Sequence, residues 1–151
     1  MGKPRQNTWY GLAFERICML HIPQIKKRLG IEQIYTEYYS WRSKCSTPAA
    51  QIDLLIERAD HLINLCEIKY SQSPYTITKE EELNIRTRMG DFVEETGVRH
   101  GILPTLITTF GIRPNAHSAI AQVQVTMDDL FDDMGSVSYT HLRAHETCAD
   151  L

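Results

Sequence analysis

Two charged residues, Glu67 and Lys69, interrupt the otherwise apolar stretch "INLCEIKYS" at residues 63–71. Residues two apart in a β-strand point to the same face, so this carboxylate and this ammonium group are expected to lie side by side. Burying such charges is unfavourable unless they are paired or bind a ligand. The two residues therefore indicate either a structural ion pair or the edge of a catalytic site.

Two further acids are expected near this pair. Asp53 lies in the preceding predicted strand, and a tight turn "ADH" would pair the two strands antiparallel, so that Asp53 and Glu67 share a face. Glu15, in a predicted helix, is within reach of the same face. Close carboxylates repel one another unless a cation lies between them, and Mg²⁺ or Mn²⁺ prefers such oxygen ligands. With Lys69 beside the ion, the set is suited to phosphodiester hydrolysis.

The pattern of apolar, β-branched and turn residues predicts the elements that must position these side chains. The order is helix, three strands, helix and two strands, which indicates one α/β domain. Pro104 predicts that the fourth strand begins near Thr105 or carries a bulge. The predicted helices are 10–21, a short one from Pro23 to Gly30, and one capped by Thr78 that ends at Gly97; the predicted strands are 33–41, 51–58, 62–70, 101–110 and 121–127.

The composition is that of a water-soluble protein with a single core. The chain has 151 residues, of which 42% are hydrophobic and 23% charged, and this length suits one domain. It contains no apolar run of about 18 residues and no apolar signal segment, so we expect no membrane span and a cytoplasmic location. The cysteine spacing favours neither a disulfide framework nor a cysteine metal site.

The last fifteen residues are expected to lie outside the domain. "VSYTHLRAHET", from residue 137, back-translates to a string that resembles a transposon-end sequencing adapter. We therefore assign residues 1–136 to the domain and residues 137–151 to read-through, together with the zinc-like pattern of His141 and His145. Without this tail, which carries one arginine and two acids, the formal net charge changes from −3 to −2. A chain so close to neutral is not a general polyanion binder.

The set D…E-x-K in this order of elements resembles the PD-(D/E)xK nuclease superfamily. More closely, the sequence resembles the C-terminal domain of a group of prokaryotic ATP-binding, AAA-type ATPase proteins, from Trp9 to about Phe131. The proline that precedes the aspartate in the superfamily is absent, because Asp53 follows Ile52. The segments that carry the closer resemblance are "WYGLAFERICMLHIPQIKKRLGI", "SW", "AQIDLLIERADHLINLCEIKYS", "YTIT", "LITTFGI" and "DDLF".

This resemblance implies a restriction-endonuclease-like α-β-β-β-α-β core with a mixed central sheet flanked by helices. It also implies a role for each candidate residue. Asp53 and Glu67 would bind Mg²⁺ or Mn²⁺, Lys69 would be the catalytic lysine, and Glu15 would support the metal or its water. Gln51, two residues before Asp53, would contact the same site.

The resemblance further implies partners, with DNA as the substrate and an ATPase domain upstream. The chain has no G-x-x-x-x-G-K-[ST] segment and so no ATP site of its own, and it is expected to be a fragment that begins after the ATPase core. Trp41, Arg42 and Lys44 are candidates for nucleic-acid contact, with a core role for Trp41 as the alternative. The alternative function is a non-catalytic module of the same fold that docks DNA, a protein partner or the ATPase domain. RNA in place of DNA remains an open alternative.

Overall fold

The secondary-structure elements follow the predicted order along the chain. A computed structural model describes residues 3–132, with side chains from residue 8 onward; the expected tail at 137–151, with His141 and His145, lies outside these residues. The elements are α1 (Lys3–Leu20), α2 (Ile22–Leu29), β1 (Thr36–Arg42), β2 (Gln51–Arg58), β3 (Leu62–Lys69), α3 (Lys79–Thr96), β4 (Gly101–Thr108), a short 3₁₀ turn (Ser118–Ile120), β5 (Val123–Thr126) and α4 (Met127–Leu130).

The five strands form one sheet in the order β1-β2-β3-β4-β5. β1 pairs with β2 and β2 with β3 in antiparallel fashion, whereas β3 pairs with β4 and β4 with β5 in parallel. The tight turn between β2 and β3 contains His61 at φ 65°, and α3 forms the longer connection that a parallel pair requires. The predicted α/β class, with a mixed sheet flanked by helices, is confirmed.

Apolar side chains on both faces of the sheet hold the helices in place. On the first face, which we call the α1 face, Phe14 and Cys18 of α1 pack with Ile25 of α2 and with inward residues of the strands. On the opposite face, the α3 face, Ile85 and Phe92 of α3 are buried against the sheet. The strands that carry the candidate residues are therefore covered on both sides, as strands of a buried sheet are.

The prediction for the fourth strand was wrong at Pro104. β4 begins at Gly101, and Pro104 pairs with Leu65 of β3 without a break in register. The other neighbour, β5, first pairs at Thr105. At the level of Pro104 the strand thus has a partner on only one side, which is the position where a missing N–H group is tolerated.

The helix ends predicted from single residues are confirmed. Gly30 and Gly97 follow α2 and α3 in the left-handed conformation, at φ 72° and 67°, which glycine adopts without steric cost. At the start of α3, the Thr78 hydroxyl accepts a hydrogen bond from the backbone N–H of Glu81 at 3.2 Å. Across residues 3–132, none of the helices combines the length and the apolarity that a membrane crossing requires.

Candidate active site

A β-bulge in β2 lies at the predicted aspartate. Tyr39 of β1 pairs with Leu55, whereas Trp41, two residues further along β1, pairs with Ile52, three residues back along β2. One extra residue of β2 is therefore accommodated at residues 53–54. Bulges of this kind bend the strand and change the direction of a side chain, and they are frequent next to active sites.

The bulge separates Asp53 from the apolar rows on either side of it. Ile52 packs in the core on the α3 face, whereas Leu54 packs in the core on the α1 face, although the two are only two residues apart. A regular strand would place residues two apart on one face. Asp53, between them, is half-buried and has Glu15 of α1 as its neighbour.

Asp53 and Glu15 form a close pair of carboxylates. Burial raises the pKa of the Glu15 carboxyl, and the adjacent carboxylate of Asp53 raises it further. Like charges at short distance disfavour ionisation in this way unless a cation offsets them. On the solvent side, the Gln51 side-chain amide donates a hydrogen bond to Asp53 Oδ1 at 2.8 Å.

Glu67 is the buried member of the acidic set. Leu54 pairs with Cys66 across the antiparallel strands, so the next position along the hairpin places Asp53 beside Glu67. Glu67 is only 7% exposed. Burial raises the pKa of its carboxyl, the positive charges of Arg88 and Lys69 oppose that rise, and Asp53 adds to it. Asp53 therefore interacts electrostatically with both of the other acids, and Lys69 lies within range of Glu67.

Arg88 is a member of the site that the sequence analysis missed. Its Nη2 atom lies 3.1 Å from Glu67 Oε1. Among the described residues, however, neither Glu67 Oε1 nor Arg88 Nε has a hydrogen-bond partner of good geometry. A signal for Arg88 was present, because it lies three residues after Ile85 and four before Phe92, on the stripe of α3 that faces the sheet. A charge on such a stripe predicts a buried polar partner.

The oxygen atoms of this site have the chemistry that a hard divalent cation prefers. Asp53 lies next to Glu15 and within electrostatic range of Glu67, and one buried oxygen of Glu67 has no hydrogen bond among the described residues. Within residues 3–132, no group of three or more His, Cys, Asp or Glu side chains is already arranged as a metal site. Asp53 and Glu67 fit the ion as donors, with the Arg88 guanidinium beside the second of them.

The residues predicted to contact nucleic acid lie at the end of β1, next to the bulge. The Trp41 ring is half-buried and packs edge-on against Phe92, with centroids 5.4 Å apart, so it takes the core role that was its alternative. Arg42 pairs with Gln51 in the strand ladder and is exposed. Lys44 is exposed in the loop that follows, where its backbone N–H donates to Glu95 Oε1 at 3.0 Å.

Comparisons with known proteins find one solved structure with a similar fold. No protein-family model and no curated protein matches the chain. A solved structure, "Crystal Structure of Protein of Unknown Function AF1548", is similar with a TM-score of 0.52 and 17% sequence identity. The similarity covers 81% of this chain and 66% of the other, so the chain spans less than two thirds of that protein's length. At this level of identity, the likeness shows that the two proteins share an α/β fold.

Proposed function

We propose that this protein is a metal-dependent phosphodiesterase that acts on DNA as a nuclease. The observation that carries the proposal is the bulge at residues 53–54. Asp53 lies at this bulge, outside the apolar rows of β2, and interacts electrostatically with both Glu15 and Glu67. A strand that served only the core would have no reason to present a carboxylate to two others at a break in its ladder.

Each residue of the site has a role that follows from its position. Asp53 and Glu67 supply oxygen donors for Mg²⁺ or Mn²⁺. When bound, such an ion would acidify a water molecule and offset the charge of the phosphate. Glu15, whose raised pKa favours a bound proton, supports Asp53 and can accept or return a proton. Lys69 lies within electrostatic range of Glu67 and orients the attacking water or stabilises the developing charge.

The proposal includes the wider setting implied by the sequence resemblance. The fold is taken to be the restriction-endonuclease-like core of the PD-(D/E)xK superfamily, in the form found after the ATPase core of prokaryotic AAA-type proteins. DNA is the substrate, the upstream ATPase domain is the partner, and the cytoplasm is the location. ATP binding is assigned to the partner domain, because this chain has no phosphate-binding loop.

The test is a cleavage assay with Lys69→Ala. Labelled single-stranded and double-stranded oligonucleotides are incubated with the protein and Mg²⁺ or Mn²⁺, with a chelator in a parallel sample. The wild type is expected to cleave, and the variant to lose about a hundredfold or more in rate. Lys79→Ala is the matched control, because Lys79 is an exposed lysine at the start of α3. Equal rates in wild type and Lys69→Ala, or no cleavage by folded wild type with metal present, would refute a nuclease function.

A non-catalytic docking module is the second candidate, and the Arg88–Glu67 ion pair favours it. The guanidinium 3.1 Å from Glu67 Oε1 supplies a positive charge from within the protein, as in a site that has replaced its metal with an arginine. Calorimetric titration with Mn²⁺ separates the two functions. Binding that Asp53→Asn abolishes supports the nuclease, whereas heat-silent titrations of a folded protein support the docking module.

A further inference from the structure

Arg88 approaches the acidic site from α3, the helix that covers the α3 face of the sheet. It lies three residues after Ile85 and four before Phe92, and because both of those side chains are buried, Arg88 is directed toward the sheet. Its Nη2 atom lies 3.1 Å from Glu67 Oε1, and its side chain is only 25% exposed. Glu15, by contrast, belongs to α1, which packs on the other face. Arg88 therefore reaches the acids from the layer opposite to Glu15.

The Arg88 guanidinium forms an ion pair with one acid of the site. Within the side chains that the structure describes, from residue 8 to residue 132, Arg88 pairs with Glu67 and forms no ion pair with Asp53 or Glu15. An arginine that had taken the place of a metal ion would be expected to pair with several carboxylates, as the ion does. The single pair favours a role in holding one ligand over a role in filling the place of the ion.

The contact also distinguishes the two carboxylate oxygens of Glu67. Oε1 is buried and faces Arg88, whereas Oε2 is not one of the described buried atoms that lack a hydrogen-bond partner. A carboxylate can bind a divalent cation through a single oxygen, so an arginine at Oε1 leaves Oε2 as a donor. Carboxylates that bind metals are usually held by a partner of this kind, which fixes their orientation.

The pair differs from the structural ion pair at the other end of the hairpin. There, Arg58 donates through both Nε and Nη2 to the two oxygens of Asp60, at 3.0 and 2.6 Å, and so occupies the whole carboxylate. At Arg88, Nη2 makes the contact, and the buried Nε has no hydrogen-bond partner among the described residues. The carboxylate of Glu67 is thus held at one oxygen, which is the arrangement that a metal ligand requires.

Tyr75 ties the loop after β3 to α3 near this ion pair. Its hydroxyl donates a hydrogen bond to Glu81 Oε1 in the first turn of α3, and its backbone pairs with Ile112 in a short bridge. Tyr75 also interacts electrostatically with both Glu67 and Arg88. A residue that is held at its backbone and at its hydroxyl therefore lies close to the pair. Such support is needed, because a loosely held ligand gives a poor site.

We propose that Arg88 is a positioning residue, which holds Glu67 through Oε1 and leaves Oε2 to bind the divalent cation. The inference rests on the proposed function, which makes Glu67 a ligand of the ion. Binding of the ion can be measured without any substrate, so the two proposals can fail separately.

The experiment measures the affinity of the full chain for Mn²⁺ alone by calorimetry, beside thermal melts of the metal-free protein. Arg88→Met removes the guanidinium and keeps an unbranched side chain. It is expected to weaken Mn²⁺ binding about tenfold or more, the usual effect of losing a residue that orients a metal ligand. Arg86→Met is the matched control, because Arg86 lies on the same helix and pairs with Glu82, and it should bind Mn²⁺ like wild type. If Arg88→Met fails to fold, Arg88→Gln, which keeps a polar head, takes its place.

Arg88→Lys distinguishes positioning from packing. Because the contact uses one nitrogen, an ammonium group can replace it, and this variant is expected to keep the Mn²⁺ affinity within about threefold of wild type. An equal loss in Arg88→Lys and Arg88→Met overturns the inference. So does an unchanged Mn²⁺ affinity in Arg88→Met, which would assign the pair to stability alone. Tighter binding by Arg88→Met would mean that Arg88 competes with the ion, and no binding by folded wild type would mean that Glu67 is not a ligand; either result also overturns the inference.

A failure of the nuclease proposal gives a different pattern. Mn²⁺ binding that depends on Arg88, without cleavage by wild type, supports the positioning role and refutes the nuclease. Cleavage by wild type, together with an unchanged Mn²⁺ affinity in Arg88→Met, supports the nuclease and refutes the positioning role.

Discussion

The two ends of the β2–β3 hairpin differ in how fully their charged side chains are paired. At the end with the turn, Arg58 donates to both carboxylate oxygens of Asp60, at 3.0 and 2.6 Å, and to the buried Asn64 Oδ1 at 3.1 Å. Asn64 in turn donates to Thr105 Oγ1 at 2.9 Å. The hydrogen bond from Arg58 lowers the pKa of the Asp60 carboxyl. Every member of this network has a partner, which is the usual state of polar groups in a folded core.

At the other end, the acids are only partly compensated, by Gln51 at 2.8 Å from Asp53 Oδ1 and by Arg88 at 3.1 Å from Glu67 Oε1. Burial raises the pKa values of Glu15 and Glu67, and Asp53 adds to both shifts. Glu67 Oε1 is buried without a hydrogen bond among the described residues. Under the proposed function, a ligand at the bulge end would offset these acids, whereas the turn end satisfies its own polar groups.

Asp53→Asn should have the largest effect at the bulge end. The substitution removes the charge that links both carboxylate pairs, and we expect the cleavage rate to fall about a hundredfold or more, with weaker Mn²⁺ binding. The melting temperature should stay the same or rise, since a repulsive charge is lost. Asp60→Asn, the matched control from the turn end, should keep the cleavage rate within about twofold. Similar rate losses in the two variants would remove the contrast between the ends.

Arg58→Met should have the largest effect on stability. It leaves the buried Asn64 Oδ1 without its donor, which typically lowers the free energy of unfolding by about 1–3 kcal/mol. Urea unfolding followed by circular dichroism measures this loss. Arg86→Met is the control, because Arg86 makes an exposed pair with Glu82 within α3, which contributes less than about 0.5 kcal/mol. Equal losses in the two variants would mean that the turn network is not a special source of stability.

Much of the fold could be predicted because local rules decide it. The stop at Gly30, the cap at Thr78 and the tight turn before Leu62 each depend on residues next to one another in the sequence. The start of β4 could not be predicted, because the tolerance for Pro104 depends on where a different strand begins. The register between strands depends on the assembled sheet and cannot be predicted from a single segment.

The candidate site, like the fold, could be predicted from the sequence only in part. Glu67 and Lys69 could be selected from their spacing, because residues two apart on a strand share a face, whereas Asp53 also needed the predicted hairpin and the family resemblance. The bulge at residues 53–54 could not, since it arises from the pairing with β1. Arg88 was missed because its partner, Glu67, is distant in sequence, although its position on the buried stripe of α3 was a usable signal.

Glu15→Gln should make the metal-free protein more stable at neutral pH. The pKa of Glu15 is raised above its ordinary value of 4.5, so the ionised carboxylate is disfavoured in the folded state. Its favourable contribution is complete below pH 4.5 and is lost as the pH rises through the folded pKa. The variant should therefore gain stability at about pH 7, by less than about 1 kcal/mol because the side chain is partly exposed, and this gain should vanish in acid. Thermal melts across this range measure the difference.

Two results would contradict this account of Glu15. A loss of stability at neutral pH would mean that Glu15 forms a favourable contact when ionised. A gain that persists below pH 4.5 would mean that the effect comes from packing of the amide and not from charge.

Asp60→Asn should show the opposite pH dependence, with the smallest amplitude. Arg58 lowers the pKa of Asp60 below its ordinary value of 3.8, so the ionised form is favoured in the folded protein. Its contribution to stability is present above that value and is lost as the pH falls through the lowered pKa. The variant should be slightly less stable than wild type at neutral pH and should converge with it in strong acid, and the difference should shrink with added salt. If both acid variants shifted stability in the same direction at neutral pH, the two ends of the hairpin would not differ in how they hold charge.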